Sequence, residues 1–263
     1  MTIVPNLLGV DVGFSLTRKT TGLAWRVGGR IEVSIAGSSW QLRQSVLPKG
    51  VQFSLAALDA PVIASEEILP RACEAVFYRR PFWNRCRPGL SHHGRGLNLR
   101  RAGRDAVLQF GSVLIPRTPI QNPKSIPRVP VIEAFPNAFL GVLLRERDYV
   151  ATDQGRRQSK SDWLYDRAIE GGVLDRVLQH LGWDDRETRA RVKSEKDHDK
   201  RAALVCLFTA GFAHTGDATI VGDIAGGWFW LPPKALWELW ALEGLEEAVA
   251  RSRQRGFQNA CVH

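Results

Sequence analysis

Three short apolar runs, each closing on a single carboxylate, organise the chain: LLGVDVG at 7–13, FSLAALDAPV at 53–62 and VPVIEAFP at 129–136. The first predicts a buried strand over residues 6–13. TGLAWRV (21–27) and RIEVSIAG (30–37) alternate apolar and polar positions and flank Gly28-Gly29, the signature of a β-hairpin. A short amphipathic piece follows over 40–47. The near-continuous apolar run after it, ending at Asp59, fits a strand inside a parallel part of a sheet.

Helical spacing occupies roughly 136–147, 159–181 and 184–195. A long helix from about Asp197 to Ala213 is nearly all apolar beyond its first turn and is expected to be buried. ATIVGD and GWFWLP read as two late strands, and 233–253 as a closing amphipathic helix followed by a tail. Residues 71–104, rich in Gly, Pro and His, read as loops and short helices over the sheet edge. Residues 116–130 form a Pro-punctuated connector. No internal repeat or low-complexity segment interrupts this order, so the 263 residues are expected to form a single α/β domain.

Charge changes the picture at one place. The chain carries +9 overall, and residues 71–104 contribute nine arginines, no lysine and one acid, Glu74. Guanidinium groups suit bidentate contact with phosphate, so Arg71, Arg79, Arg80, Arg85 and Arg87 are candidate contacts for a nucleic-acid backbone. A solvated basic insertion is the ordinary alternative. Tyr78 and Trp83, with Phe77 and Phe82, would suit base stacking beside them. The four cysteines show no CxxC pair, and no apolar run reaches the length of a membrane span. With no signal-peptide pattern at the N-terminus, a cytoplasmic protein without membrane contact is expected. Cys73, Cys86, His92 and His93 are zinc-ligand types at no common spacing.

Asp11, Asp59 and Glu133 share one design, a carboxylate at or near the end of an apolar strand, where parallel strands open their ligand crevice. Converging carboxylates repel in a low dielectric and stay ionised when cations neutralise them. Hard oxygen ligands suit Mg²⁺ or Mn²⁺, and a pair of ions can activate water and stabilise a leaving oxygen. Asp197 and Asp199 open the buried helix; Asp197 reads first as its N-cap and Asp199 as a first-turn charge or ligand. Each acid also has an ordinary role open to it: Asp11 bonding its own turn, Asp59 forming one, Glu133 holding a loop. His198 reads as a surface residue or as a base beside Asp199.

The order GVDVGFS, TGLAW, AALDAPV, RACE (71–74), VIEAFPNAFLG, DHDKRAALVCLFTAGFA and GDIAGGWFWLP resembles a family of uncharacterised, predicted ribonuclease-H-like nucleases, a domain of unknown function. The resemblance runs from residue 7 to about 232. It implies a mixed sheet, three antiparallel strands followed by parallel ones, and a metal-dependent site hydrolysing phosphodiester bonds of DNA or RNA. Carried over by position, Asp11 is the central ligand of two ions, with Asp59 and Glu133 beside it. The helix carries Ala202-Ala203 where the family pattern has an Asp-Ala pair, so its acid comes from Asp199, preferred, or Asp197. Two other readings start from the same residues. One is a non-catalytic nucleic-acid-binding domain of the same fold. The other is an actin-like or sugar-kinase ATP-binding domain, with GDIAGGW as a second phosphate loop; that class needs two copies of a pattern present here once.

Overall fold

The computed structural model describes residues 4–63, 67–114, 130–149 and 158–263. The connector expected at 116–130 lies outside them apart from Pro130. One eight-stranded sheet runs through the molecule. β1 (Leu7–Asp11) pairs antiparallel with β2 (Thr21–Val27), which pairs antiparallel with β3 (Arg30–Ala36). Gly28 and Gly29 both take positive φ, 57° and 87°, which a two-residue turn needs and which glycine adopts without strain. On its other side β1 pairs in parallel with β4 (Leu55–Asp59), and β4 with β5 (Val131–Ala134). β7 (Gly227–Leu231) adds in parallel to β5; β6 (Thr219–Asp223) and the two-residue β8 (Cys261–Val262) close that edge in antiparallel pairing. The strand order is β3-β2-β1-β4-β5-β7-β6-β8, an antiparallel start followed by parallel strands.

Two apolar layers cover the sheet. Leu8, Val10, Leu23, Ala56, Leu58 and Val131 face α1 (Trp40–Val46) and α4 (Arg95–Gly111), meeting Trp40, Ala106 and Phe110. The opposite face packs against the larger cluster. It includes α2 (Ala72–Phe77), α3 (Trp83–Cys86), α5 (Pro136–Gly141), α6 (Lys160–Glu170), α7 (Val173–His180), α9 (His198–Thr215) and α10 (Leu239–Gln254). α9 lies against β1, β2 and β4, and every residue from Arg201 to Phe212 is buried, as its composition requires. The helical stretch expected at 159–181 breaks at Gly171-Gly172, where Gly172 turns left-handed at φ 68°. α8 (Arg186–Ser194) follows with Asp185 as its cap.

Residues 71–104 depart from their expected character. The short helices expected there are present as α2 and α3, but Cys73, Val76, Phe77 and Phe82 are fully buried in the larger core, and α4 is a seventeen-residue helix. Trp228 and Trp230 are half-buried, Trp230 packing against the larger core, while Phe229 between them is buried. Among the described residues no helix is long and apolar enough to cross a membrane.

Candidate functional site

Asp11 and Asp59 are register partners at the ends of the adjacent parallel strands β1 and β4. Neighbouring strands lie about 4.8 Å apart, and residues level in register point to the same face, so the two carboxylates leave the sheet side by side. That is the face covered by α9. Gly22 stands opposite Asp11 on β2, and a Cβ there would overlap the backbone of Asp199. Gly9, two residues before Asp11, likewise gives way to the backbone of Ala203 and Leu207. Two glycines thus let the helix press directly on the strands, and its first turn delivers Asp199 to Asp11, with which it shares a hydrogen bond.

The two acids of that turn have different tasks. Asp197 is the N-cap, its Oδ1 accepting from the Lys200 amide at 3.1 Å. Asp199 faces Asp11 instead. Asp11, Asp59 and Asp199 are half-buried residues.

Their electrostatics are adverse. Burial holds Asp11 well above the usual carboxylate range, and Asp59 and Asp199 add to the effect. Burial, with Glu133 nearby, pushes Asp59 up to about 7. Asp199 is raised by burial, with His198 opposing. His198 neighbours both Asp59 and Asp199; its Nδ1 lies 3.1 Å from Asp162 Oδ2 and 3.2 Å from Ser159 Oγ.

Glu133 is not free to join this set. It is level with Leu58, one step before Asp59 on the neighbouring strand. Its carboxylate receives two bonds from Arg71, at 2.8 Å from Nη1 and 2.5 Å from Nη2, and one from the Val62 amide at 2.9 Å. Arg71 also pairs with Glu74 at 3.2 Å and donates to the Gly226 carbonyl at 2.5 Å. Arg71 is only 2% exposed and Glu133 only 4%. The arginine expected to meet substrate and the acid expected to hold metal neutralise each other inside the protein.

The same network accounts for GDIAGGW. It forms the β6–β7 turn, in which the Gly226 amide donates to Asp223 Oδ1 at 2.6 Å and the Gly226 carbonyl is taken by Arg71. A phosphate loop would leave those groups for its ligand.

The other candidate arginines divide. Arg85 pairs with Glu146 and lies 4.1 Å from the Trp240 ring centroid, so it is largely committed to packing. Arg79 is half-buried; Arg80 and Arg87 are exposed. The loop leaving Asp11 adds cations that composition did not single out: Arg18 and Lys19 are exposed there, beside Phe14 at 45% and Leu16 at 95% exposure. Asp162, Gly9 and Gly22 also escaped the sequence reading, since nothing in their local pattern marks contact with a distant helix.

Oxygen donors and mutual repulsion make Asp11, Asp59 and Asp199 a donor set that fits a hard divalent cation. Among the described residues, no group of three or more His, Cys, Asp or Glu surrounds one point as a metal would require. A proton and a cation are alternative ways to relieve the same repulsion. No protein-family model, curated protein or solved structure matches the chain.

Proposed function

We propose that the protein is a divalent-cation-dependent nuclease, hydrolysing phosphodiester bonds of nucleic acid on a ribonuclease-H-like architecture. One observation carries this reading: Asp11, Asp59 and Asp199, from two parallel strand ends and a helix start, converge with carboxyl groups that their surroundings leave poorly compensated. Asp11, Asp59 and Asp199 would hold Mg²⁺ or Mn²⁺, which would supply an activated water and charge neutralisation at the phosphate. His198, held by Asp162, would accept a proton from an attacking water. Arg18 and Lys19 at the rim, with Arg80 and Arg87, would hold the backbone without reading sequence.

The engagement of Glu133 by Arg71 favours a second reading, a nucleic-acid-binding protein of this architecture without cleavage. A screen of DNA, RNA and branched substrates with Mg²⁺ and Mn²⁺ separates the two. The nuclease reading expects cleavage that Asp11→Asn abolishes. Cleavage that survives Asp11→Asn, or none by the wild type on any substrate, rejects it.

A further inference from the structure

The aromatic and basic residues of 71–104 separate into a buried half and an exposed half, and the exposed half is continuous with the end of α10. Phe77 and Phe82 lie in the core. Tyr78 and Trp83 stay at the surface, their rings meeting edge to face with centroids 4.4 Å apart. The Arg87 guanidinium lies 4.5 Å from the Trp83 ring centroid and 5.9 Å from that of Tyr78. Trp83 is 37% exposed.

Beside this stack, Arg79 faces Arg251 and Arg255 at the end of α10; burial, then those two charges, hold its guanidinium below the usual arginine range. Its Nε is inaccessible to solvent yet has no hydrogen-bond partner. The arrangement is pinned from below: Pro81 packs where Gly244 of α10 has no side chain, and the Phe82 and Trp240 rings lie 5.8 Å apart. Acids reach only part of it. Glu247 pairs with Arg251, and Glu146 with Arg85, while Arg79, Arg80, Arg87 and Arg255 make no ion pair among the described residues.

Bringing like charges together costs free energy that a polyanion recovers, and an exposed aromatic face receives a base only when that base is unstacked. We propose that Tyr78, Trp83 and Arg87, with Arg79, Arg251 and Arg255, form a binding track for single-stranded nucleic acid, bases stacking on Trp83 and phosphates lying along the arginines. The inference rests on the nucleic-acid substrate of the proposed function and assigns its strand state and its path. Duplexes hide their base faces and gain only the charge contribution.

The test uses the full-length Asp11→Asn protein without divalent ions, so that binding is read apart from cleavage. Fluorescence anisotropy follows a labelled single-stranded oligonucleotide, and the same sequence as a duplex, over a series of salt concentrations. The single strand is expected to bind more tightly. Trp83→Ala should weaken it roughly tenfold with an unchanged salt slope. Arg79→Gln/Arg251→Gln/Arg255→Gln should flatten the slope of log K against log salt by about 2. The surface pair Arg251→Gln/Arg255→Gln, with unchanged circular dichroism, should flatten it by about 1.4 if the larger variant fails to fold. Equal affinity for duplex, an indifferent Trp83→Ala, or an unchanged slope overturns the track. Binding as expected, in a wild type that never cleaves, sustains the track and rejects only the nuclease reading. Cleavage with indifferent binding variants does the reverse.

Discussion

Gly22 and the backbone of Asp199 occupy the space that a single methyl group would need. This contact, more than the helix sequence, decides that the first turn of α9 reaches Asp11, because Gly22 is the register partner of Asp11 on β2. Gly22→Ala must push the helix away. We expect a loss of about 1–3 kcal/mol in urea unfolding, the usual cost of overpacking. Gly111→Ala is the control: it ends α4 with open space around it, and should be neutral or slightly stabilising. Equal behaviour of the two variants would mean that the sheet does not dictate the position of α9.

Arg71 and Glu133 predict the opposite kind of effect from Asp11. Removing either partner of the buried pair leaves an uncompensated charge, with Glu74 also losing its cation in Arg71→Met. Arg71→Met and Glu133→Gln should each cost about 3–5 kcal/mol, and the double variant less than the sum of the two. Asp11→Asn instead removes a source of repulsion, since Asp59 and Asp199 both raise the Asp11 carboxyl. It should leave the metal-free protein as stable as the wild type or more so. Chemical denaturation of all four proteins in chelator checks this. A strongly destabilising Asp11→Asn would show that Asp11 has a supporting role.

The same repulsion sets a pH dependence. Asp59 is pushed from the usual 3.8 up to about 7 in the folded state, and Asp11 and Asp199 move the same way. Between those values the folded chain binds more protons than the unfolded chain, so stability falls as pH rises. With chelator present, the melting temperature should decline from about pH 4 towards pH 7 through these groups; Asp11→Asn should flatten the decline. Saturating Mg²⁺ or Mn²⁺ should raise the melting temperature most near neutral pH, where the carboxylates are otherwise least comfortable. A metal-independent melting curve would reject the cation site.

Much of the sheet could be read in the chain because its signals are local. Leu7–Asp11, the Gly28-Gly29 hairpin and the run into Asp59 each carry their own pattern; short connections order β1 to β3, and a crossover through α1 returns β4 to the side of β1. The site was legible only in part. Asp11 and Asp59 share a register that strand ends imply, whereas the clearance at Gly9 and Gly22 depends on a helix almost two hundred residues away. Glu133 shows the limit most clearly. Its position near a strand end resembles that of Asp59, yet its carboxylate is paired with Arg71, 62 residues before it, which its local pattern does not announce. The two-residue β8 is too short to leave any alternation.

Asp197 and Asp199 provide the sharpest separation of structure from chemistry, because they are two residues apart on one turn. Asp197 caps α9 through the Lys200 amide, and losing that bond typically costs about 0.5–2 kcal/mol. Asp197→Ala should therefore lower stability by that amount and leave cleavage largely intact below the new melting temperature. Asp197→Asn retains a capping oxygen and should be mild in both respects. Asp199→Asn keeps the shape of the first turn while removing the charge that faces Asp11. It should leave unfolding nearly unchanged, abolish the stabilisation by Mg²⁺ or Mn²⁺, and abolish cleavage. Thermal melts with and without the ion, run beside a cleavage assay, read all three quantities for each variant. If Asp197→Ala rather than Asp199→Asn removes the metal response, the helix acid belongs one step earlier and the contact between Asp199 and Asp11 has no part in the chemistry.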